Sequence, residues 1–186
     1  SREGFLKAQQ GKGTVVTDNK TMQSLNHVTS VSETLRHKGY EVKPKNIFID
    51  SVAADDFISE KLGIENGTVI IRIQRIQLAN NIPIAIVKNY LRKEDVPDII
   101  KKQDEITSLY AFLEREYGIN FDSATELISA KNATFEESQM LDVAVGTALI
   151  ELKRTCYMGQ KPICIDHSKI VGSKYELEIE MVGREK

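Results

Sequence analysis

No stretch of this chain approaches the roughly 18 consecutive apolar residues that a membrane-spanning helix requires, and no signal peptide is visible at its start. A membrane partner is therefore not expected. Cysteine is scarce, with only Cys156 and Cys164, which flank a turn expected at Gly159-Gln160. A two-residue loop there sets Cys156 opposite Ile163 and Cys164 opposite Thr155. Side chains alternate faces along a strand, so the two sulfurs are expected on opposite faces, as the reduced, buried thiols of a cytoplasmic protein. An excess of charge of either sign is lacking too. The net charge of −2 gives no overall pull toward nucleic acid or a lipid surface and leaves only a local basic patch open. Low-complexity segments are absent and no internal repeat is evident. The chain opens on Ser1 rather than Met and reads as a fragment with more protein upstream. Apolar residues at 41% and charged residues at 28% suit one globular domain with its own core, plus a remnant of another.

What is present is a series of short elements. Two strands, over 4–8 and 13–17, flank the turn Gly11-Lys12-Gly13. The polar run "TDNKTMQSLNHVT" reads as a linker. The domain organisation expected is thus 1–18, a linker at 19–29, and a main domain at 30–186. Ser30 followed three residues on by Glu33 forms a capping box that starts a helix over 31–38, and Gly39 stops it. A strand and a second short helix ending near Gly63 follow. Two β-rich runs then meet at Asn80-Asn81, a pair suited to a type I′ turn. Leu109, Phe112 and Leu113 fall at helical spacing before Gly118, and Thr134 with Glu137 forms a second capping box. A second hairpin and a final strand over 175–181 complete the chain. Adjacent hairpins with helices on one face predict an α+β fold built on an antiparallel sheet.

The motifs for common chemistries are missing. Gly11-Lys12-Gly13-Thr14 lacks the spacing and the strand-to-helix setting of a phosphate-binding loop, and a lysine at a hairpin tip serves better as a point contact to a DNA backbone. Cys164 and His167 lie at an odd offset on a strand, so they face opposite ways and make no metal site. No G-x-S-x-G motif and no acid/base pair can be placed; neither catalytic residues nor a cofactor are expected. The informative residue is Arg75. Strand parity sets it on the face of Ile71, Ile73 and Gln77, with Ile84 and Ile86 across the hairpin and Ile86 directly opposite. An arginine on an isoleucine-rich face needs an anion, supplied either by an internal carboxylate or by a ligand. Ser30 and Ser108, each at a helix start, offer further anion-binding groups.

The opening "GFLKAQQGKGTVV" resembles the wing of the GntR-type winged helix-turn-helix, whose hairpin ends G-[KR]-G-T-x-V. The rest resembles the effector-binding UTRA domain of the HutC subgroup of that family. The pieces that carry the resemblance run in family order: "TSVSETLRHKGY", "LGIENGTVIIRIQRIQLANNIPIAI", "SLYAFLEREYGI" with "ATELISAKNA", "LDVAVGTALIELKRTCYMGQKPI" and "SKIVGSKYELEIEM". The resemblance implies a chorismate-lyase-like antiparallel domain in a homodimeric bacterial transcription regulator. It implies a small effector, often a sugar phosphate, that alters binding to operator DNA. It places Ser30, Arg75, Ser108 and Tyr110 in the effector pocket, with Gln77 where the family often has a second arginine. Asp166 is the nearest candidate for the acidic residue expected after Pro162, a place that Cys164 fills. Lys12, Gly13 and Thr14 become DNA contacts of the wing. Val87 and Lys88 stand where an acidic residue is common, and Ile170–Tyr175 departs from the usual Tyr-Arg-Gly-Asp-Arg-Tyr, which bears on the sugar rather than on the anion. The alternative is an enzyme on the same scaffold.

Overall fold

In a computed structural model of the chain, residues 21–181 and Gly183 are described in full, together with the backbone of two short strands, β1 (Leu6–Gln9) and β2 (Gly13–Val16). These two pair antiparallel, with Gln9 opposite Gly13 and Ala8 opposite Thr14. Lys12 lies outside the described residues. Within the stretch expected to be a linker, residues 21–24 form a strand, β3 (Thr21–Ser24), whose Thr21 and Gln23 are buried.

The capping box at Ser30 starts α1 (Val31–His37): the Glu33 backbone N–H donates to Ser30 Oγ and the Ser30 N–H to the Glu33 carboxylate. Then come β4 (Val42–Ala53), α2 (Asp56–Leu62), β5 (Val69–Ala79) and β6 (Ile82–Arg92). After two 3₁₀ segments, Lys93–Asp95 and the kinked Ile99–Glu105, α3 (Leu109–Tyr117) ends at Gly118, in the left-handed region with φ 65°. The remainder is β7 (Ser123–Asn132), α4 (Phe135–Leu141), β8 (Ala148–Met158), β9 (Lys161–Val171) and β10 (Tyr175–Glu178).

Six strands make one antiparallel sheet in the order β4-β5-β6-β9-β8-β7. The antiparallel α+β expectation holds, with three corrections. The final strand, shorter than expected, leaves this sheet and pairs in parallel with β3, Tyr175 opposite Thr21. Helices cover both faces rather than one. On the first face α3 packs on Ile71, Ile73 and Leu91, and α1 packs on Val87, Leu152 and Ile170. On the second face α2 packs on Ile70 and Ile165, and α4 on Ile86, Leu149 and Val171.

The third correction is an internal repeat. The unit β4-α2-β5-β6 and the unit β7-α4-β8-β9 superpose in sequence at one constant offset. Their helices are capped at Asp55 and Thr134, and both end on a left-handed residue, Gly63 and Asp142. Gly67 and Gly146 share a positive φ, 81° and 84°. Ala54 and Ala133 each donate to a threonine carbonyl, Thr68 and Thr147, at 2.9 and 2.8 Å. Pro83 matches Pro162 and Arg75 matches Arg154. So few side chains are shared that composition alone conceals the duplication.

Each unit also carries the same irregularity. The register slips between Gln77 and Leu78 in the first hairpin and between Cys156 and Tyr157 in the second. Proline has no N–H to give a ladder, and a bulge beside it accommodates that loss. The extra residue shifts every later partner by one. Arg75 consequently stands opposite Val87, not Ile86. Cys156 stands directly opposite Cys164, and both are buried free thiols on the same face.

On the second face Glu151, 2% exposed, accepts from His167 at 2.8 Å, Lys131 at 3.0 Å and Ser129 at 3.0 Å. Burial works to raise its pKa, but those donors outweigh it and hold it at about 2, below the ordinary 4.5. Burial holds His167 below its ordinary 6.5, against the pull of Glu151. Both folded values lie below the unfolded ones, so both groups stabilise at neutral pH and lose that contribution on acidification. For Glu151 the loss runs from about pH 4.5 down to about 2. We expect a stability loss of about 1–3 kcal/mol across this window, read by urea unfolding. Glu151→Gln is expected to flatten it; an equally steep fall in that variant would remove Glu151 as the cause.

Candidate functional site

The bulges build the site. On the first face of the sheet, one row across the strands runs Asn89, Asp166, Arg154, Glu126 over β6, β9, β8 and β7. The next row runs Arg75, Val87, Ser168, Leu152. A small cavity lies over these rows, closed by Ser30, Val31 and Ser32 from α1 and by Gln23 from β3.

Arg75 is 6% exposed. Its Nη1 donates to Asn89 Oδ1 at 2.6 Å, and Asn89 in turn donates to Asp166. Among the described residues Arg75 makes no ion pair. Burial lowers its pKa, and Asp166, Tyr110 and Cys164 offset only part of this; a guanidinium nevertheless stays charged at neutral pH. Gln77, two residues on along the same face, lines the cavity at 1% exposure, and its Nε2 has no acceptor among the described residues. Ser30 Oγ lies 3.0 Å from Ser32 Oγ, so both hydroxyls stand together at the wall.

Asp166 is held from three sides: by Asn89, by the Tyr110 hydroxyl, and by the Cys164 thiol at 3.2 Å. Tyr110 also lies 3.3 Å from Cys156 Sγ. Burial pushes the Tyr110 hydroxyl well above its ordinary pKa, and the negative Asp166 adds to the effect, so it stays a donor. Of the expected site residues, Ser30, Arg75, Gln77 and Asp166 therefore meet in one cavity, and Tyr110 joins through Asp166. Ser108 does not line it. Ser108 precedes α3 without capping it, and its Oγ is buried with no partner among the described residues. The loop before it is tied to α1 by Arg36, which donates to the Thr107 carbonyl at 3.0 Å.

Sequence reasoning missed Arg154, the repeat partner of Arg75. It is 5% exposed and donates to Glu126 at 2.8 Å and to the Thr29 carbonyl at 2.7 Å. Burial opposes its charge, yet Tyr110, Glu126 and Asp166 outweigh that and raise its pKa. In "ELKRTCYM" nothing distinguishes Arg154 from Lys153 until the repeat is aligned on the two prolines. The repeat also separates the roles of the two arginines. The position that supplies Glu126 to Arg154 is Ile47 in the first unit, so Arg75 receives no carboxylate from its edge strand.

The model of the UTRA domain family matches residues 37–176. The chain belongs to the UTRA domain family. This UTRA chain is 29% identical over 175 residues to the HTH-type transcriptional repressor NagR of Bacillus subtilis, covering 93% of this chain and 71% of that protein. It is 22% identical to the histidine utilization repressor of Pseudomonas putida, over 95% of this chain and 70% of that one. Its fold matches the crystal structure of PhnF from Mycobacterium smegmatis at a TM-score of 0.82 and 21% identity, covering 98% of this chain and 80% of the other. The relatives are transcription regulators of the GntR and HutC type, and the UTRA chain carries their effector-binding domain. Among the described residues no helix is long and apolar enough to cross a membrane.

Proposed function

We propose that the cavity at Arg75 is an effector site and that an anion-bearing metabolite, with sugar phosphates among the candidates, occupies it to alter DNA binding. The observation that carries this reading is a buried arginine without an ion pair beside a buried, unpartnered Gln77 amide in the same cavity. Such donors are costly unless an acceptor arrives. Ser30 completes that end of the cavity, and Tyr110 acts through Asp166. Ser108 enters the site only if the loop after Thr107 moves. Operator DNA is the second partner, contacted by the wing residues Lys12, Gly13 and Thr14. A binding role rather than catalysis fits an Asp166 carboxylate already engaged by three donors. For the homodimer, β7 offers a ten-residue edge strand with exposed Leu127 and Ile128, a template for pairing with a second copy.

A thermal-shift screen of phosphorylated and carboxylated metabolites tests the reading. A ligand present at about 100 times its Kd stabilises the folded state by about 2.7 kcal/mol, a rise of several degrees. If no anion moves the melting temperature, the cavity is not an effector site.

A further inference from the structure

On the second face of the sheet the two repeat units differ under their helices. Beneath α2 the space is filled. Phe57 and Tyr90 pack with Ile58, Leu62 and Ile165, and the Lys153 ammonium lies 5.0 Å from the Phe57 ring centre. At the constant offset of the repeat, Phe57 becomes Glu136, Ile58 becomes Glu137 and Tyr90 becomes Lys169. Charged side chains thus stand where apolar ones plug the first unit. A cleft of about 260 Å³ opens beneath α4, with Ile86 and Met140 as its apolar wall and Gln74, Lys88, His167 and Lys169 along the strands.

The repeat also leaves one cation of this cleft unpaired. His167 pairs with Glu151 at 2.8 Å, Lys169 with Glu137, and Arg72, beside the cleft, with Asp50 at 2.6 Å. Lys88 is the counterpart of His167, but the position that supplies Glu151 to His167 is Arg72 in the first unit. Gln74 stands opposite Lys88 and Arg72 opposite Tyr90, so Arg72 is a diagonal neighbour of Lys88 on the same face. Half-buried Lys88 therefore meets a like charge where its counterpart meets a carboxylate, and among the described residues it makes no ion pair. Burial lowers its pKa, and Arg72 and Lys169 lower it further, against the pull of Glu137 and Glu136. Glu137 is engaged by Lys169 and by the Thr134 backbone N–H, and Glu136 is exposed to water.

We propose that this cleft is a second small-molecule site for an apolar monocarboxylate, its carboxylate on Lys88 and its hydrocarbon body against Ile86 and Met140. One unpaired ammonium matches one negative charge, and the carboxylate supplies the acceptor that a half-buried ammonium lacks. The Gln74 amide, directly across from Lys88, offers a neutral donor beside it. A phosphate dianion fits less well, because Glu136 and Glu137 line the same cleft and oppose a second negative charge. An amine meets Lys88 and Lys169. The site does not rest on the effector reading: it lies on the opposite face of the sheet and shares no lining residue with the Arg75 cavity.

The test is a methyl-resonance titration of the chain with hexanoate, set against hexanol, hexylammonium and inorganic phosphate. Hexanoate should shift the Ile86 and Met140 methyl signals to saturation. It should bind at least about tenfold more tightly than each of the other three, equivalent to about 1.4 kcal/mol. Lys88→Met should weaken hexanoate by at least about tenfold, and Lys88→Arg should retain it. Glu136→Phe, which sets an aromatic ring where Phe57 fills the first unit, should close the cleft and abolish the shifts. The Gln77 side-chain amide reports the Arg75 cavity in the same sample, so the two sites are read separately. Hexanol that binds as well as hexanoate, phosphate that binds more tightly, or an affinity untouched by Lys88→Met each overturns the inference. An absence of shifts at Ile86 and Met140 overturns it too and leaves the effector site standing.

Discussion

Replacing Arg75 with methionine is expected to weaken effector binding by about 30- to 1,000-fold, the equivalent of roughly 2–4 kcal/mol, while the domain still folds. Methionine keeps most of the side-chain volume, so the adjacent Ile71 and Ile73 stay packed. The structural loss is one hydrogen bond, that to Asn89 Oδ1 at 2.6 Å. An acceptor left without its donor costs about 1–3 kcal/mol, which a domain of this size tolerates. The functional loss is larger because, among the described residues, the guanidinium is the cation of the cavity without an ion pair. Calorimetry with the compound that raises the melting temperature most will measure it. Unchanged affinity in a folded variant would sink the assignment of Arg75.

Arg154→Met is expected to do the opposite, costing stability first. Arg154 bridges Glu126 and the Thr29 carbonyl from a 5% exposed position, and Gln23 donates to the same carbonyl at 3.0 Å. Removing one member of a buried ion pair strands the other, typically at about 3–5 kcal/mol. The urea midpoint should fall accordingly, and adding Glu126→Gln to the same chain should restore part of it by removing the stranded charge. A loss below about 1 kcal/mol would show that Arg154 is not the structural arginine of the pair. The contrast rests on one residue pair. Glu126 serves Arg154, and Ile47 stands in its place beside Arg75.

The strong local signals in the sequence were legible. The capping boxes at Ser30 and Thr134, the Gly118 stop and the Asn80-Asn81 turn all form where their chemistry predicts, with Asn80 and Asn81 at φ 48° and 64°. The choice of Arg75, from a charge on an apolar strand face, led to the cavity that also holds Ser30, Gln77 and Asp166. What parity counting missed are the two bulges, because a register count from the turn assumes an unbroken ladder. One extra residue beside Pro83 moved the partner of Arg75 from Ile86 to Val87, and one beside Pro162 brought Cys156 and Cys164 face to face. The same error hid Asn89 and Arg154. The prolines two residues past each turn were the available clue. The buried strand β3 looks like linker in sequence because Thr21 and Gln23 are polar; Gln23 is buried through bonding, with Tyr175 donating to it at 2.7 Å. Residues 179–181 looked strand-like by alternation, yet pairing stops at Glu178, and Ile179 and Met181 stay exposed.

The most direct measurement follows side-chain resonances of the labelled chain as the best-binding anion is added. The Gln77 side-chain amide and the Arg75 guanidinium N–H signals should shift together and saturate with the calorimetric Kd, because the ligand supplies the acceptor that Gln77 Nε2 lacks. Resonances confined to Lys88, His167 and Lys169, which line a separate cleft under α4 on the other face of the sheet, would place the ligand there instead and contradict an effector site at Arg75.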